Sequence, residues 1–374
     1  MRDVLFVVGE ASGDLHAGKV AEAMRALAPQ LHLTGVGGGH MRQAGVEILE
    51  DVERLAVMGF VEVLRHVPKH WALLRRLRSR IESGQVGLVV LLDYPGFNLK
   101  VAEVAHRAGV PVLYYITPQV WAWGAGRLPN IARVVTKAAS ILPFEEALLR
   151  QHGVDATFVG HPLLDRAQDL PSRESARARL GLRATGPVLA VFPGSRRAEL
   201  ARHLEPFMAT AIELQHRLPA LEVVVSVAPT VRIEAGQCPF PLVHGASFAV
   251  QRAATAGLLK SGTTTLEAAV SGLPHIIGYR TSPITYAIAK RVVKIPHIGL
   301  VNVVAEREVS REFVQEALEP MEMADALMPL LDETSAARVS VVEALGAVRA
   351  RLGTAGAAER VARMALSLLD PALT

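Results

Sequence analysis

The chain has 374 residues, half of them hydrophobic, with 20% charged and a formal net charge of +4. That length suits two domains, each with its own core, and the lone cysteine, Cys238, excludes an internal disulfide or a cysteine-based zinc cluster and points to a cytosolic protein. Arginine is spread along the chain instead of gathered in a basic tail, so no nucleic-acid partner is expected, and an anionic substrate or a membrane surface fits the charge.

No uncharged apolar run approaches the roughly 18 residues of a membrane span. The run at 4–8 meets Glu10 and Asp14 too early for a secretory signal. Residues 3–10 read as an apolar strand that passes through Ala11-Ser12-Gly13-Asp14 into a helix over about 15–27. Ser12, Gly13 and Asp14 then lie beyond the carboxyl end of a strand, where open α/β sheets bind ligands. Capping of the next helix by Ser12 or Asp14 accounts for the same residues. A second strand ends in Gly35-Val36-Gly37-Gly38-Gly39-His40. A dinucleotide fingerprint would follow the first strand and carry glycine where His40 stands, so the run predicts loop backbone close to a substrate and not a nicotinamide site.

Over 58–81, Val61, Val63, Leu64, Val67, Trp71, Leu74 and Leu77 alternate with Arg65, Lys69, Arg75, Arg76, Arg78 and Arg80, and Pro68 predicts two short helices. An amphipathic basic element with a tryptophan suits contact with an anionic membrane surface. A sheet-covering helix with solvated arginines gives the same pattern, and the two readings can hold on different faces. A buried strand over 87–92 delivers Asp93 at its end in LLDYPGFN, and Pro95 with Gly96 turns the chain away. Asp93 is the candidate catalytic acid or base. After a strand over 112–116, Trp121 and Trp123 occupy a loop where they can stack on a sugar, meet an acyl chain or simply pack.

Strands over 139–142 and 157–159 finish this domain, and 165–186 reads as linker and helix. A second domain then starts at Pro187, where a strand over 188–192 runs into Pro193-Gly194-Ser195-Arg196-Arg197, with Glu199 three residues past Arg196. Strands over 222–227 and near Leu242 follow, and 321–369 is helix-rich. The stretch 257–280 reads as strand end, polar turn, helix, Gly272 stop and buried strand. A helix opening on Ser261-Gly262-Thr263-Thr264 offers free amides and a positive dipole end to an anion. Glu267, one turn on, is placed to accept bonds from ribose hydroxyls, and phosphate with ribose implies a nucleotide. A plainly capped helix with a solvated Glu267 is the competing reading. Two Rossmann-like halves facing a cleft, with nucleotide motifs in one and an acid in the other, predict a transferase.

Seven motifs in order carry a family resemblance: GEASGD from Gly9, VMGFVEVL from Val57, LLDYPGFN from Leu91, VWAW from Val120, VGHPLLD from Val159, PGSR from Pro193 and SGTTTLEA from Ser261. Together they resemble lipid-A-disaccharide synthases nearly end to end. The resemblance implies a GT-B glycosyltransferase of α/β class with an acceptor and membrane-facing domain over 1–165 and a UDP-sugar domain over 166–345. Helices over 346–374 are expected to pack back on the first domain. It implies transfer from UDP-2,3-diacylglucosamine to 2,3-diacylglucosamine 1-phosphate, on the cytoplasmic face of the bacterial inner membrane, giving a β-1,6-linked disaccharide 1-phosphate and UDP.

The donor contacts so implied are Gly194, Ser195, Arg196, Ser261, Gly262, Thr263, Thr264 and Glu267, joined by Asn302, Arg307 and Gln315. Arg196 also serves catalysis beside Asp93. The acceptor side takes Glu10, Ser12, Gly13, Asp14 and Asn98, and Val61, Val63, Leu64, Val67 and Trp71 meet the membrane. The chain departs from the family pattern at Gly124, where arginine is usual, and at Val301 and Glu306, where proline and glycine are usual. It contains no Asp-x-Asp, the usual metal anchor of metal-dependent glycosyltransferases, so no metal and no cofactor are expected. A homodimer is left open. The rival readings are a UDP-N-acetylglucosamine 2-epimerase-like enzyme and a catalytically silent nucleotide-sugar or lipid-binding module.

Overall fold

A computed structural model describes residues 3–52, 60–292 and 295–370, the side chains of 60–67, 288 and 292 excepted. The chain forms two compact units, 1–165 with 353–374, and 166–352. In the first unit the elements run β1 (Asp3–Val8), α1 (Ala11–Leu27), β2 (Leu33–Gly37), α2 (Gly39–Gln43), β3 (Glu47–Asp51), α3 (Phe60–Glu82) and β4 (Val86–Leu92). They continue as α4 (Pro95–Arg107), β5 (Val112–Tyr115), α5 (Leu128–Val134), β6 (Lys137–Ser140), α6 (Glu145–Gln151) and β7 (Ala156–Phe158), and α7 (Leu163–Arg166) ends on the first residue of the second unit.

The second unit begins with α8 (Arg173–Leu180), β8 (Val188–Phe192), α9 (Arg197–Arg217), β9 (Glu222–Val227), β10 (Leu242–His244), α10 (Ser247–Ala253) and β11 (Ala256–Lys260). It continues with α11 (Thr263–Ser271), β12 (His275–Tyr279), α12 (Pro283–Val292), α13 (Leu300–Ala305), β13 (Glu312–Val314), α14 (Pro320–Leu331) and α15 (Ala336–Arg351). The last helix, α16 (Ala357–Leu369), belongs to the first unit.

Both sheets are wholly parallel, in the orders β3-β2-β1-β4-β5-β6-β7 and β10-β9-β8-β11-β12-β13. Their central strands are continuous apolar runs because both faces are covered. The period-two alternation of β1 sends Leu5 and Val7 into one core and Val4, Phe6 and Val8 into the other. On the first face α3 and α4 contribute Leu73, Leu77, Ile81, Val101 and Ala105. On the second, Val20, Ala21 and Met24 of α1 meet Val361, Ala362, Ala365 and Leu366 of α16. Burial of Val361 and Leu366 is worth about 1.5–3 kcal/mol each, which is reason enough for the chain end to return to the first unit. In the second unit Leu189 and Val191 pack with Phe207, Ala211 and Leu214 of α9, while Val188, Ala190 and Phe192 face Val250 and Ala268.

Several sequence expectations change. Pro68 lies inside a single helix instead of dividing two. A proline there costs one intrahelical bond and a steric clash, but Leu73, Leu77 and Ile81 anchor the following turns in the core. Helix α1 starts at Ala11, four residues early, since Glu10 is the extended residue and the Asp14 amide already bonds its carbonyl at 3.1 Å. Helix α15 runs unbroken through Arg351, so the division falls after Leu352 and not at 345. Strands β3 and β13 are short, half-buried edge strands without an apolar run, and sequence periodicity does not reveal them.

Candidate active site

In the first sheet the strand order reverses between β1 and β4, whose ends lie side by side with Val8 paired to Leu92. Open α/β sheets bind ligands beyond such a switch point. Asp93 follows β4 there, and its side chain is exposed. Asp93 and Tyr94 both adopt left-handed backbone, with φ of 46° and 48°. This costly turn is pinned from several directions. The Asp93 amide donates to the Ile116 carbonyl at 3.2 Å, and its carbonyl accepts from Asn98 Nδ2 at 2.8 Å and from the Tyr114 hydroxyl at 2.6 Å. Gly9 must be glycine, because a Cβ would stand 2.2 Å from Tyr94 Cγ. The Tyr94 hydroxyl in turn lies 2.5 Å from His70 Nε2 on α3.

The residues expected on the acceptor side separate into two groups. Glu10 and Ser12 are exposed near the β1 end, whereas Gly13, Asp14 and Asn98 are buried. Asn98 Nδ2 also reaches the Leu92 and Val7 carbonyls at 3.0 and 3.3 Å, so Asn98 is the knot beneath the turn and not a surface contact. Asp14 does not cap its own helix. Its carboxylate accepts from the amides of Gly38, His40 and Met41 at 2.6, 2.9 and 3.2 Å, which occupies it with the start of α2. Gly37 and Gly38 make room for this packing: a Cβ on Gly37 would lie 2.2 Å from Met41 Sδ, and one on Gly38 3.0 Å from Asp14 Oδ2.

Helix α3 turns Leu73, Leu77 and Ile81 inward and leaves Arg75, Arg76 and Arg78 exposed, so over these turns its inner face is core. Trp71 remains 53% exposed, with Lys100 Nζ 5.1 Å from its ring centroid. The side chains of Val61, Val63, Leu64 and Val67 lie outside the described residues. Trp121 packs edge-on against Phe144 and donates to Glu145 at 3.0 Å, while Trp123 is exposed under the Arg127 guanidinium. Gly124 takes a left-handed φ of 84°.

The second sheet reverses between β8 and β11, with Phe192 beside Leu259 at the strand ends. Two loops leave from there. In the first, Gly194 has φ of 129°, and a Cβ on it would meet Glu199 at 2.8 Å. Glu199 Oε2 accepts from the amides of Ser195 and Arg196 at 3.0 and 3.2 Å, and Oε1 lies 2.9 Å from Lys260 Nζ. Burial pushes the Glu199 carboxyl up, but Lys260, the Ser195 amide and Arg196 together hold it below its ordinary value. The side chains of Ser195 and Arg196 are exposed at the head of α9.

In the second loop Gly262, with φ of 150°, precedes α11. Ser261 Oγ donates to the Ile298 carbonyl at 2.7 Å and Thr265 Oγ1 to the Gly262 carbonyl at 2.8 Å, so these hydroxyls shape the loop. Thr263 is exposed and Thr264 half-buried at the helix start, where amides lack intrahelical partners. Glu267 is not on a solvated face. It is buried, accepting from Ser247 Oγ at 2.6 Å and from Arg166 Nη1 at 3.2 Å.

The side chains of Asn302 and Gln315 are engaged with groups of the second unit itself. Asn302 is fully buried; its Nδ2 donates to Ser310 O and Glu312 Oε1, and its Oδ1 accepts from the Val309 and Ser310 amides, all within 2.9 Å. Its hydrogen-bonding capacity is spent on the loop it organises. The Gln315 side-chain amide pairs with both backbone groups of Thr281, at 2.6 and 3.3 Å, and the Gln315 backbone carbonyl accepts from Arg280 Nε and Nη2. The Arg280 amide donates to His203 Nε2 at 2.8 Å, and His203 Nδ1 lies 2.7 Å from the Glu199 carbonyl. That pattern assigns the proton to Nδ1, and burial brings the imidazole down to about 4, so it is neutral at physiological pH. Arg307 is exposed. Glu306 holds the left-handed position that ends α13, with φ of 59°, which explains why glycine is usual there. Among the described residues no group of three or more His, Cys, Asp or Glu side chains is placed to hold a metal.

Sequence periodicity gave no sign of Arg166, Ser247, His203 or Tyr114, whose roles depend on distant partners. Lys260 lies within the motif stretch but shows no loop-to-loop role until the fold is known.

Residues 4–355 match a family model described as lipid-A-disaccharide synthetase. The lipid-A-disaccharide synthase of Trichlorobacter lovleyi is 40% identical over 374 residues, covering 98% of this chain and 97% of that one. Among solved structures, a protein described as a UDP-N-acetylglucosamine 2-epimerase of Listeria monocytogenes superposes with a TM-score of 0.67 at 11% identity, covering 99% and 97% of the two chains. A kitacinnamycin glycotransferase gives 0.65 at 15% identity, covering 98% of each. At such identities these two likenesses establish the two-domain α/β fold alone.

Proposed function

The chain belongs to the lipid-A-disaccharide synthase family, glycosyltransferases of lipid A synthesis, and from that premise we propose its substrates, its residue roles and its place of work. The donor is UDP-2,3-diacylglucosamine and the acceptor 2,3-diacylglucosamine 1-phosphate. The observation that carries the assignment is the position of the chemistry-bearing loops: Asp93 at the switch point of one sheet, and the Gly194–Arg196 and Ser261–Thr264 loops at the switch point of the other. The first unit takes the acceptor and the second the donor.

An α-linked UDP-sugar giving a β-glycoside requires inversion. The acceptor 6-oxygen forms its bond to C1 as the bond from C1 to the UDP oxygen breaks, and the hydroxyl proton passes to Asp93. Such proton transfer is typically worth ~10²- to 10⁴-fold in rate. The departing diphosphate gains negative charge, which Arg196 and the amides at the head of α11 neutralise, and a fixed donor aimed at such charge is worth about 3 kcal/mol. Glu267, oriented by Ser247 and Arg166, receives the ribose hydroxyls. With cations and amides for the diphosphate and no Asp-x-Asp in the chain, the reaction proceeds without a metal.

Among the described residues no helix is long and apolar enough to cross a membrane. The acylated substrates instead bring the enzyme to the cytoplasmic face of the inner membrane, where the apolar residues Val61, Val63, Leu64, Val67 and Trp71 make contact. Drawing such a lipid into water would expose about 0.8 kcal/mol of apolar surface per methylene, so working at the bilayer surface avoids a large barrier.

Incubation with both lipids followed by mass spectrometry tests the function. The expected products are the acylated disaccharide 1-phosphate and an equal amount of UDP. Epimerised donor without disaccharide, or binding without UDP release, would refute it.

A further inference from the structure

Lys260 closes β11 one residue before the Ser261–Thr264 turn, yet its ammonium reaches across to the other loop of the switch point. Nζ lies 2.9 Å from Glu199 Oε1 and 5.7 Å from the Tyr279 ring centroid. It would stand 3.6 Å from a Cβ placed on Gly262. The same Glu199 carboxylate holds the amides of Ser195 and Arg196 through its other oxygen. One ammonium, only 18% exposed, is thus held between two anion-receptive loops.

A brace between the loops would explain the ion pair but not its position. An ammonium carries three donors in a tetrahedral spread, and Glu199 is its ion-pair partner among the described residues. It also stands beside Gly262, the residue whose missing side chain leaves the head of α11 open to a ligand. Electrostatics point the same way. The Glu199 carboxylate fixes the Ser195 and Arg196 amides, but by itself it would repel a diphosphate arriving at the neighbouring Arg196 side chain and the head of α11. Lys260 cancels that charge at contact distance and has donors to spare.

We infer that Lys260 is a further ligand of the nucleotide diphosphate: its ammonium, held in place by Glu199, donates to a phosphate oxygen of the bound donor and of UDP as it leaves. This rests on the nucleotide reading of the second unit. Loss of one charge-assisted bond to a phosphate corresponds to about a tenfold or greater loss of affinity.

The test compares UDP with uridine, which lacks the phosphates, by calorimetry or displacement on the full-length protein. Lys260→Met is expected to weaken UDP at least about tenfold while leaving uridine within about twofold, and Lys260→Arg to restore most of the UDP affinity. In the wild-type protein, UDP is expected to protect Lys260 from an amine-reactive reagent, read by peptide mass spectrometry, whereas uridine is not. This second measurement needs no variant to fold. If wild-type protein binds UDP no better than uridine, the nucleotide reading itself falls. If it discriminates but Lys260→Met discriminates equally, or UDP leaves Lys260 labelling unchanged, the nucleotide reading stands and Lys260 is only a brace.

Discussion

Replacing Asp93 by asparagine isolates the proposed base from the scaffold around it. The turn is held by backbone groups: the amide to Ile116, and the carbonyl to Asn98 and Tyr114. All three bonds survive the substitution. The left-handed φ of 46° is tolerated by asparagine about as well as by aspartate. An alanine there would add about 1 kcal/mol of backbone strain, so asparagine is the cleaner probe. Asparagine keeps the size and polarity of the exposed side chain, so the fold is expected to hold. Loss of a general base should cost ~10²- to 10⁴-fold in turnover, or about 3–5 kcal/mol of transition-state stabilisation. The assay is disaccharide formation from both lipids, with UDP affinity and thermal melting measured on the same preparation. UDP affinity should hold, because the proposed diphosphate ligands belong to the other unit. Turnover within about threefold of wild type would refute the base assignment, and an equal loss of UDP binding would show that the substitution acts through the fold.

Arg196→Ala removes an exposed cation at the head of α9 and should weaken UDP about tenfold or more, whereas Glu267→Gln should lower affinity for UDP and uridine alike; unchanged affinities in both would displace the nucleotide from these loops. Chelation with EDTA should leave turnover intact, and a loss that manganese restores would contradict the metal-free mechanism. Glu306→Gly relieves a left-handed residue and gives up only a 3.7 Å exposed pairing with Arg351, so the urea midpoint should rise by the equivalent of about 0.5–1 kcal/mol; a fall would contradict the strain argument. Burial lowers His203 and His275 from 6.5 to about 4 and His161 to about 3, so the unfolded chain takes up protons below pH 6.5 that the folded protein refuses. Their stabilising contribution is present above pH 6.5 and is lost as pH falls toward 4. Glu145, raised by burial to about 7, has the opposite sign and gains as pH falls from 7 toward 4.5. Three histidines against one carboxyl leave a net loss between pH 6.5 and 5 approaching about 1.4 kcal/mol per pH unit for each uncompensated group, and urea midpoints flat over that range would contradict it.

Apolar periodicity is a property of neighbouring residues, and for that reason the central strands, the glycine-containing turns that follow them and the placing of Asp93, Arg196 and Ser261–Thr264 at strand ends are all legible in the chain. Runs such as residues 88–92 must be buried on both faces wherever they go, and a parallel sheet is the arrangement that allows it. Which strand ends stand together is a different kind of fact. β1 pairs with β4 and β8 with β11 across intervening strands and helices, so the two switch points exist only once the sheet orders are set. The same holds for side-chain commitments. Asn302, Gln315, Asn98 and Asp14 match a binding pattern by residue type, yet each has side-chain polar atoms committed to backbone groups brought to it by the fold. Lys260 and Glu199 meet for the same reason. A polar side chain's free valence depends on which partners burial leaves it, and those partners come from distant parts of the chain that only tertiary packing assembles.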